Sequence, residues 1–216
     1  ISMWAFVFSL ITVGLVVFIS MHARGNPITV VILAGVMVSS LFSAGVSYTK
    51  LVADPNDTLP AITYWLMGSL SGTRMKTVGF AAVCMAVGLM PLLLLRWRMN
   101  LLTLSADEAR SMGVNTDRLR LAVILSATVL TAASVSVSGM IGWVGLVIPH
   151  FSRMLVGAHG TRNMPVACLL GAMFMIVVDT AARNISGMEV PISILTSLIG
   201  APFYIALMRR NRGELQ

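Results

Sequence analysis

Long apolar runs dominate this sequence and constrain its fold more than any other feature. Several approach the roughly 18 to 20 residues that a helix needs to cross about 30 Å of hydrocarbon at about 1.5 Å per residue. Of the 216 residues, 57% are hydrophobic and 11% are charged, whereas about a quarter of the residues in soluble domains are charged. The runs therefore predict an all-α polytopic membrane protein and argue against a soluble globular domain.

Seven such runs occur, and each predicts one crossing of the membrane. A shorter apolar stretch, "AITYWLMGSL", follows the polar turn "ADPNDTLP". It is too short to span, so we expect a re-entrant or interfacial half-helix there. The predicted crossings are 3–21, 28–46, 78–95, 119–137, 139–155, 165–182 and 191–208.

The basic residues predict the orientation of these crossings. Most of the 15 lysine and arginine residues follow the odd-numbered crossings, and the opposite side holds Lys50, Arg74, Lys76 and Arg183. The richer side is expected to be cytoplasmic, which places the C-terminus inside and residue 1 outside. Because the basic residues sit at the ends of apolar runs, the net charge of +7 indicates membrane anchoring and not nucleic-acid binding.

The longest predicted cytoplasmic connection, 101–117, carries the signals of a short capped helix over 106–112. Ser105 and Glu108 have the spacing of a capping box, and Gly113 can supply a left-handed C-terminal cap. The pattern fits a connector lying on the membrane and a docking helix for a cytoplasmic partner equally well. The docking candidates are Ser105, Ala106, Asp107, Glu108, Ala109, Arg110, Met112 and Gly113.

The middles of the predicted crossings contain no acidic residue, lysine, arginine or histidine. Ion-coupled transporters usually retain a titratable group near the midplane, so this pattern favours a passive conduit driven from elsewhere. Backbone carbonyls can also coordinate sodium, and an ion-coupled secondary transporter or channel is therefore the alternative. A purely structural membrane anchor is a weaker third possibility.

Catalytic motifs are missing from the sequence. No Gly-x-x-x-x-Gly-Lys-Ser/Thr phosphate loop occurs, so we do not expect this chain to hydrolyse ATP. No serine, histidine and carboxylate set suggests a nucleophilic triad. Cys84 and Cys168 each lie inside an apolar run, a position that predicts neither a disulfide framework nor a metal site.

Two groups of residues near the predicted outer face invite a structural or a functional reading. Asp179 and Arg183 stand four apart, the spacing of a helical ion pair, and Arg183 is alternatively a contact for an acidic patch on an outside partner. Glu189 and Pro191 have the positions of a cap and a first-turn proline for the last helix.

A third group lies in "SGMIGWVGLVIPHFSRMLVG", the predicted fifth crossing. Gly142 and Gly145 would permit close helix approach, and Pro149 could kink or end the helix. His150 and Arg153 would then lie at its cytoplasmic, negative end. A structural cap is the commoner role for a lone histidine at such a position.

Four stretches together resemble the FecCD-type permeases of ATP-driven importers for iron chelates, haem and cobalamin. They are "LSADEARSMGVNTDRLR", "SGMIGWVGLVIPHFSRMLVG", "VVDTAARN" and "EVPISILTSLIGAPFYIALMRR". "YWLMGSLSG" is similar to the family's segment after its fifth helix. The resemblance covers essentially the whole chain, 1–216, as one permease domain.

The resemblance implies a fold with ten transmembrane helices, of which this chain would hold the last seven. Such a truncated chain alone is not expected to transport. It implies a second permease subunit, identical or paralogous, in the bacterial cytoplasmic membrane. It also implies two ATPase subunits, which would bind ATP and Mg and dock at 101–117, and a binding protein, of which a carboxylate would meet Arg183. No cofactor is expected in this chain.

The sequence departs from the family pattern at Ser105, Met140 and Ser193. These differences bear on local geometry more than on function. Substrate identity is left open by the residues, because the binding protein would perform selection. Ferric siderophore is the commonest family answer, beside haem, cobalamin and an oxyanion such as molybdate.

Overall fold

The computed structural model describes residues 2–23, 27–71, 73–103, 108, 111–157, 159–185 and 190–211. All regular secondary structure in these residues is helical, which confirms the predicted fold class. A 3-10 turn, Asn100–Thr103, follows the fourth helix. The helices are α1 (Ser2–His22), α2 (Pro27–Val52), α3 (Thr58–Leu66), α4 (Met75–Met99), α5 (Thr116–Ser138), α6 (Val144–Val156), α7 (Gly160–Asn184) and α8 (Ile192–Asn211).

Within the described residues, five helices, namely α1, α2, α4, α5 and α7, are long and apolar enough to cross a membrane. The fifth predicted crossing, 139–155, is wrong in its bounds, because the chain becomes helical only at Val144. Its 13 residues reach about 20 Å at about 1.5 Å per residue, less than the hydrocarbon thickness. The apolar part of α8, Ile192–Tyr204, is also short of a full span.

A nine-residue helix, α3, covers the first six residues of the stretch 61–70 for which the sequence predicts a half-helix, and it begins three residues earlier, in the predicted polar turn. The turn before it is closed by the carboxylate of Asp54, of which Oδ1 accepts a hydrogen bond from the Asn56 amide at 2.8 Å. At about 1.5 Å per residue, α3 is too short to span a bilayer. The prediction of a short helix is confirmed, and its re-entrant or interfacial placement stays a prediction.

Small residues bring α4 and α5 together. A Cβ on residue 88 would lie 3.0 Å from the Ser126 carbonyl oxygen and 3.0 Å from Leu130 Cγ, so α4 needs glycine at this contact. On α5, Ala132 and Ala133 are almost fully buried. Small side chains let helix backbones approach closely, which is how apolar helices associate in lipid.

The remaining helices surround this pair. Helix α1 packs against α5 and α2 packs against α1, while α6, α7 and α8 contact one another and α7 contacts α4. The rings of Phe6 and Phe80 meet edge to face at 5.7 Å, which places the starts of α1 and α4 at the same end of the bundle. This agrees with the alternating order of the predicted crossings, and the assignment of one end to the cytoplasm stays a prediction.

We expect Gly88→Val to lower the stability of the bundle by about 1–3 kcal/mol, because the added methyl groups overpack the α4–α5 contact. Thermal unfolding of the purified protein in detergent measures the change. Gly79→Val is the matched control, since a Cβ on residue 79 of the same helix meets nothing within 4 Å. Equal losses from the two variants would contradict the proposed role of Gly88.

Candidate functional site

Three non-helical segments meet at one end of the bundle, which we call the Arg183 end: 67–71, 139–143 and 190–191. The Ser69 amide donates to the Ser138 carbonyl oxygen at 2.9 Å, and the Ile192 amide donates to the Gly68 carbonyl oxygen at 3.0 Å. These hydrogen bonds join the chain after α3 to the end of α5 and to the start of α8. Non-helical backbone in an apolar setting needs such partners.

Two glycines make this junction possible. Gly68 has φ +70° and Gly139 has φ +68°, and residues with a side chain rarely adopt such positive φ angles. A Cβ on residue 68 would lie 2.5 Å from the Met140 carbonyl oxygen, and one on residue 139 would lie 2.5 Å from the Trp65 carbonyl oxygen. The two segments therefore touch backbone to backbone, and no larger residue fits at either position.

The predicted ion pair of Asp179 and Arg183 is confirmed in the last two turns of α7. Arg183 Nε donates to Asp179 Oδ2 at 2.9 Å, and Nη2 donates to Oδ1 at 3.3 Å. The Arg183 side chain is 48% exposed and the Asp179 side chain 24% exposed. A pair this accessible to water adds little stability, but it fixes the direction of the guanidinium.

Behind this pair, a small core holds α7 and the start of α8. Val178, Ala182 and Ile192 are buried together, and Leu70 packs against them. The predicted cap residue Glu189 lies outside the described residues. Pro191 immediately precedes α8, and its carbonyl oxygen accepts a hydrogen bond from the Ile194 amide at 3.1 Å. Arg183 is thus carried on a helix end that is anchored to its neighbours.

A groove of about 560 Å³ opens beside α3 at the Arg183 end. Its walls combine two aromatic rings with serine side chains, and sequence analysis did not identify it. The only local signal was the Tyr-Trp pair in the short apolar stretch. Its polar and aromatic lining includes Tyr64, Trp65, Ser69, Ser71 and Ser138.

The opposite end of the bundle, which we call the Asn100 end, contains 96–103, 111–118, 157 and 159–163. Gly160 donates its amide hydrogen to Asn100 Oδ1 at 3.1 Å, which joins the end of α4 to the start of α7. Asn115 caps α5, since its Oδ1 accepts a hydrogen bond from the Arg118 amide at 3.0 Å. Sequence analysis missed both asparagines.

Most of the predicted docking helix lies outside the described residues, including Ser105, Ala106, Asp107, Ala109 and Arg110. In the described part, the Met112 amide donates to the Glu108 carbonyl oxygen at 3.3 Å, which is one helical turn. Gly113 has φ +78°, so the predicted left-handed cap is confirmed. The docking role of the segment stays a prediction.

Helix α6 carries Pro149 and His150 at its middle and Arg153 in its last turn, so the prediction of a helix-end position is wrong for Pro149 and His150. It continues through Pro149, and Arg153 Nε donates to the Pro149 carbonyl oxygen at 3.2 Å. His150 is half-buried and Arg153 is exposed. The helix ends at Gly157, which has φ +83°. Pro149 therefore does not end the helix, and a glycine two turns later does.

The prediction that Gly142 and Gly145 mediate close helix approach is wrong for contacts within this chain. A Cβ on either residue meets nothing within 4 Å. The actual close contact is at Gly200 of α8, where a Cβ would lie 2.6 Å from Trp143 Cβ. Ser152, which is fully buried, joins α6 to α7 through a hydrogen bond from its hydroxyl to the Asn163 carbonyl oxygen at 3.1 Å.

The described chain is thus a helical bundle with several candidate membrane spans and a separate cluster of polar contacts at each end. The model of the FecCD transport family matches residues 1–210. The chain belongs to this family.

Named relatives agree with this assignment. The chain is 43% identical, over 94% of its length, to the molybdate import system permease protein MolB of Haemophilus influenzae, and covers 61% of that protein. It is 39% identical, over 95% of its length, to an iron chelatin transport system permease protein of Helicobacter pylori, and covers 63% of it. The chain therefore spans less than two thirds of either relative.

A solved structure shares the fold. It is described as an inward-facing conformation of a metal-chelate type ABC transporter, and it superposes with a TM-score of 0.90 at 42% sequence identity. The match covers 95% of this chain and 65% of the other chain.

We expect Gly139→Ala to destabilise the Arg183 end by at least about 1–3 kcal/mol, because alanine is strained at this φ and its Cβ meets a carbonyl oxygen. Loss of folded protein on heating in detergent measures the effect. Gly142→Ala, three residues later and unobstructed, is the control and should behave like the unmodified protein. If both variants unfold at the same temperature, the close backbone contact at Gly139 does not determine the stability of the Arg183 end.

Proposed function

We propose that this chain forms the membrane-crossing part of a permease subunit in an ATP-binding-cassette importer. The observation that carries the proposal is the match to the FecCD transport family over residues 1–210. The subunit would translocate a substrate delivered by a binding protein, and a separate ATPase subunit would bind ATP and Mg and supply the energy. Its place would be the bacterial cytoplasmic membrane, with the C-terminus inside.

Helix number supports assignment of this chain to the last seven of ten helices. Among the described residues, five helices are long enough to span, and α6 and α8 supply two shorter apolar helices near the two remaining predicted crossings. The chain also covers 61% to 65% of the length of the relatives described above. A second permease subunit, identical or paralogous, would complete the conduit.

The exposure of α2 supports such an arrangement. Large apolar residues along it, including Ile32, Met37 and Leu41, are at least 60% exposed in the single chain. A helix that is this apolar and this poorly covered requires lipid or another subunit around it.

The charged residues divide between the two ends in a way that fits two different partners. At the Asn100 end, the segment 101–117 would dock the ATPase through the capped helix that contains Asp107, Glu108 and Arg110. At the Arg183 end, the exposed guanidinium of Arg183 would receive a carboxylate of the binding protein. The docking segment and Arg183 would lie at opposite ends of the bundle, so the helices between them would have to transmit movement from one to the other.

Among substrates, we favour a metal chelate, specifically a ferric siderophore. Relatives that carry iron chelatin and hemin in their names support the chelate class. A molybdate permease is also among the relatives, so an oxyanion is the competing substrate. The ligand that co-purifies with the partner binding protein would decide between them.

The importer proposal predicts uptake that depends on ATP and survives collapse of ion gradients. Membrane vesicles containing the complete ten-helix permease proposed above (called the permease below), its ATPase subunit and its binding protein, assayed with and without internal ATP, measure this. An ion-coupled transporter would give the opposite result.

Joint replacement of Asp107, Glu108 and Arg110 by alanine should abolish both co-purification of the ATPase and uptake, because it removes the charges of the predicted docking helix 106–112.

The control for that triple variant is the joint replacement of Arg74 and Lys76 by alanine. These two basic residues lie next to the start of α4, on the opposite predicted side. Co-purification of the ATPase should be unchanged. Unchanged ATPase association in the triple variant would show that the docking surface lies elsewhere.

We expect Arg183→Glu to weaken binding-protein affinity by at least about tenfold, since it places a negative charge against an acidic partner surface. Asp179→Asn is the matched control: it disrupts the same ion pair but keeps the cation, so affinity should change little. Titration of the binding protein onto the reconstituted permease gives both values. If the unmodified protein and both variants bind the binding protein with equal affinity, Arg183 does not contact it.

A further inference from the structure

The first residue of α7 is capped by a side chain from another helix. The first amides of a helix have no partner within it and usually receive one from the N-cap side chain. In α7 the N-cap residue is His159, and its side chain makes no capping hydrogen bond. Instead, the amide of Gly160 donates to Oδ1 of Asn100 at 3.1 Å, and Asn100 lies 60 positions earlier in the chain.

A larger residue at position 160 would displace the Asn100 side chain from this contact. A Cβ there would lie 2.9 Å from Asn100 Oδ1 and 3.4 Å from the Arg96 carbonyl oxygen. The last turn of α4 and the first residue of α7 are therefore in direct contact. Among the described residues, Asn100 Oδ1 is the only acceptor observed for the Gly160 amide. Any displacement of Asn100 therefore moves the acceptor at the start of α7.

Asn100 also marks the start of the connection that we propose as the ATPase-docking segment. It is the C-cap of α4 and the first residue of the 3-10 turn Asn100–Thr103, which leads into 104–117. At its other end α7 carries Arg183, and Val178 and Ala182 of α7 belong to the core at the Arg183 end. One continuous helix of 25 residues thus connects Asn100 with the opposite end of the bundle.

We propose that Asn100 is a positioning residue that links the docking segment to α7, so that movement imposed by the ATPase reaches the Arg183 end through α7. This inference rests on the proposed importer function. The hydrogen bond lies at the positive end of the α7 dipole, where an oxygen acceptor is favoured. Loss of this link would uncouple ATP hydrolysis from transport without removing any residue of the docking segment.

The test compares Asn100→Ala with Asn100→Asp in proteoliposomes that contain the permease, its ATPase subunits and its binding protein. The measured quantity is the amount of substrate imported per ATP hydrolysed. We expect Asn100→Ala to lower this ratio about fivefold or more, the lower range of coupling between sites, with unchanged ATPase co-purification. Asn100→Asp keeps the acceptor oxygen and should stay within about twofold of the unmodified protein.

A second variant separates coupling from helix stability. Asn100→Ala combined with His159→Asp gives α7 a local cap but no link to α4. Thermal stability should recover, while the transport ratio should stay low. Recovery of the ratio as well, or no loss in Asn100→Ala, would overturn the proposal. Uptake that needs no ATP in the unmodified protein would overturn the importer function and this inference together.

Discussion

The close backbone contact between Gly68 and Gly139, with the hydrogen bond from the Ser69 amide to the Ser138 carbonyl oxygen beside it, is the contact on which the rest of the bundle depends. In an apolar environment a non-helical segment is tolerated only where its amides and carbonyls find partners. Here the chain after α3, the end of α5 and the start of α8 supply those partners to one another. Because both residues are glycines in a left-handed conformation, the segments approach closely enough for hydrogen bonds that larger residues would prevent.

This junction also explains why α6 is short. Helix α5 ends at Ser138, and Trp143 adopts φ +67°, so the five residues 139–143 form a connection inside the apolar run. Trp143 is held by the close approach of Gly200, and its ring lies 6.4 Å from that of Tyr204. A bulky residue at this φ is strained and persists only where its surroundings fix it. The start of α6 is therefore set by α8.

Hydropathy predicted the long helices because it measures the property that decides them, a span of apolar side chains. It failed at 139–155 because the helix is interrupted there by backbone conformation, and the side chains stay apolar through the interruption, so hydropathy does not change. Local signals worked where partners are near in sequence, as for Asp179 with Arg183 and for Gly113. The pairing of Asn100 with Gly160 spans 60 residues, and no local pattern could predict it.

The hydroxyl groups of α2 show how a surface can contain polar residues and still face hydrocarbon. Ser40, Ser47 and Thr49 are exposed, yet each donates to the carbonyl oxygen four residues earlier in the same helix, at 2.9 Å. Their donors are therefore satisfied without water, and exposure to lipid leaves none of these three donors unpaired. Such surfaces also suit contact with another protein subunit, since small hydroxyl side chains allow close approach. Helix α2 can thus tolerate either neighbour, as a helix at the edge of a subunit in a membrane assembly must.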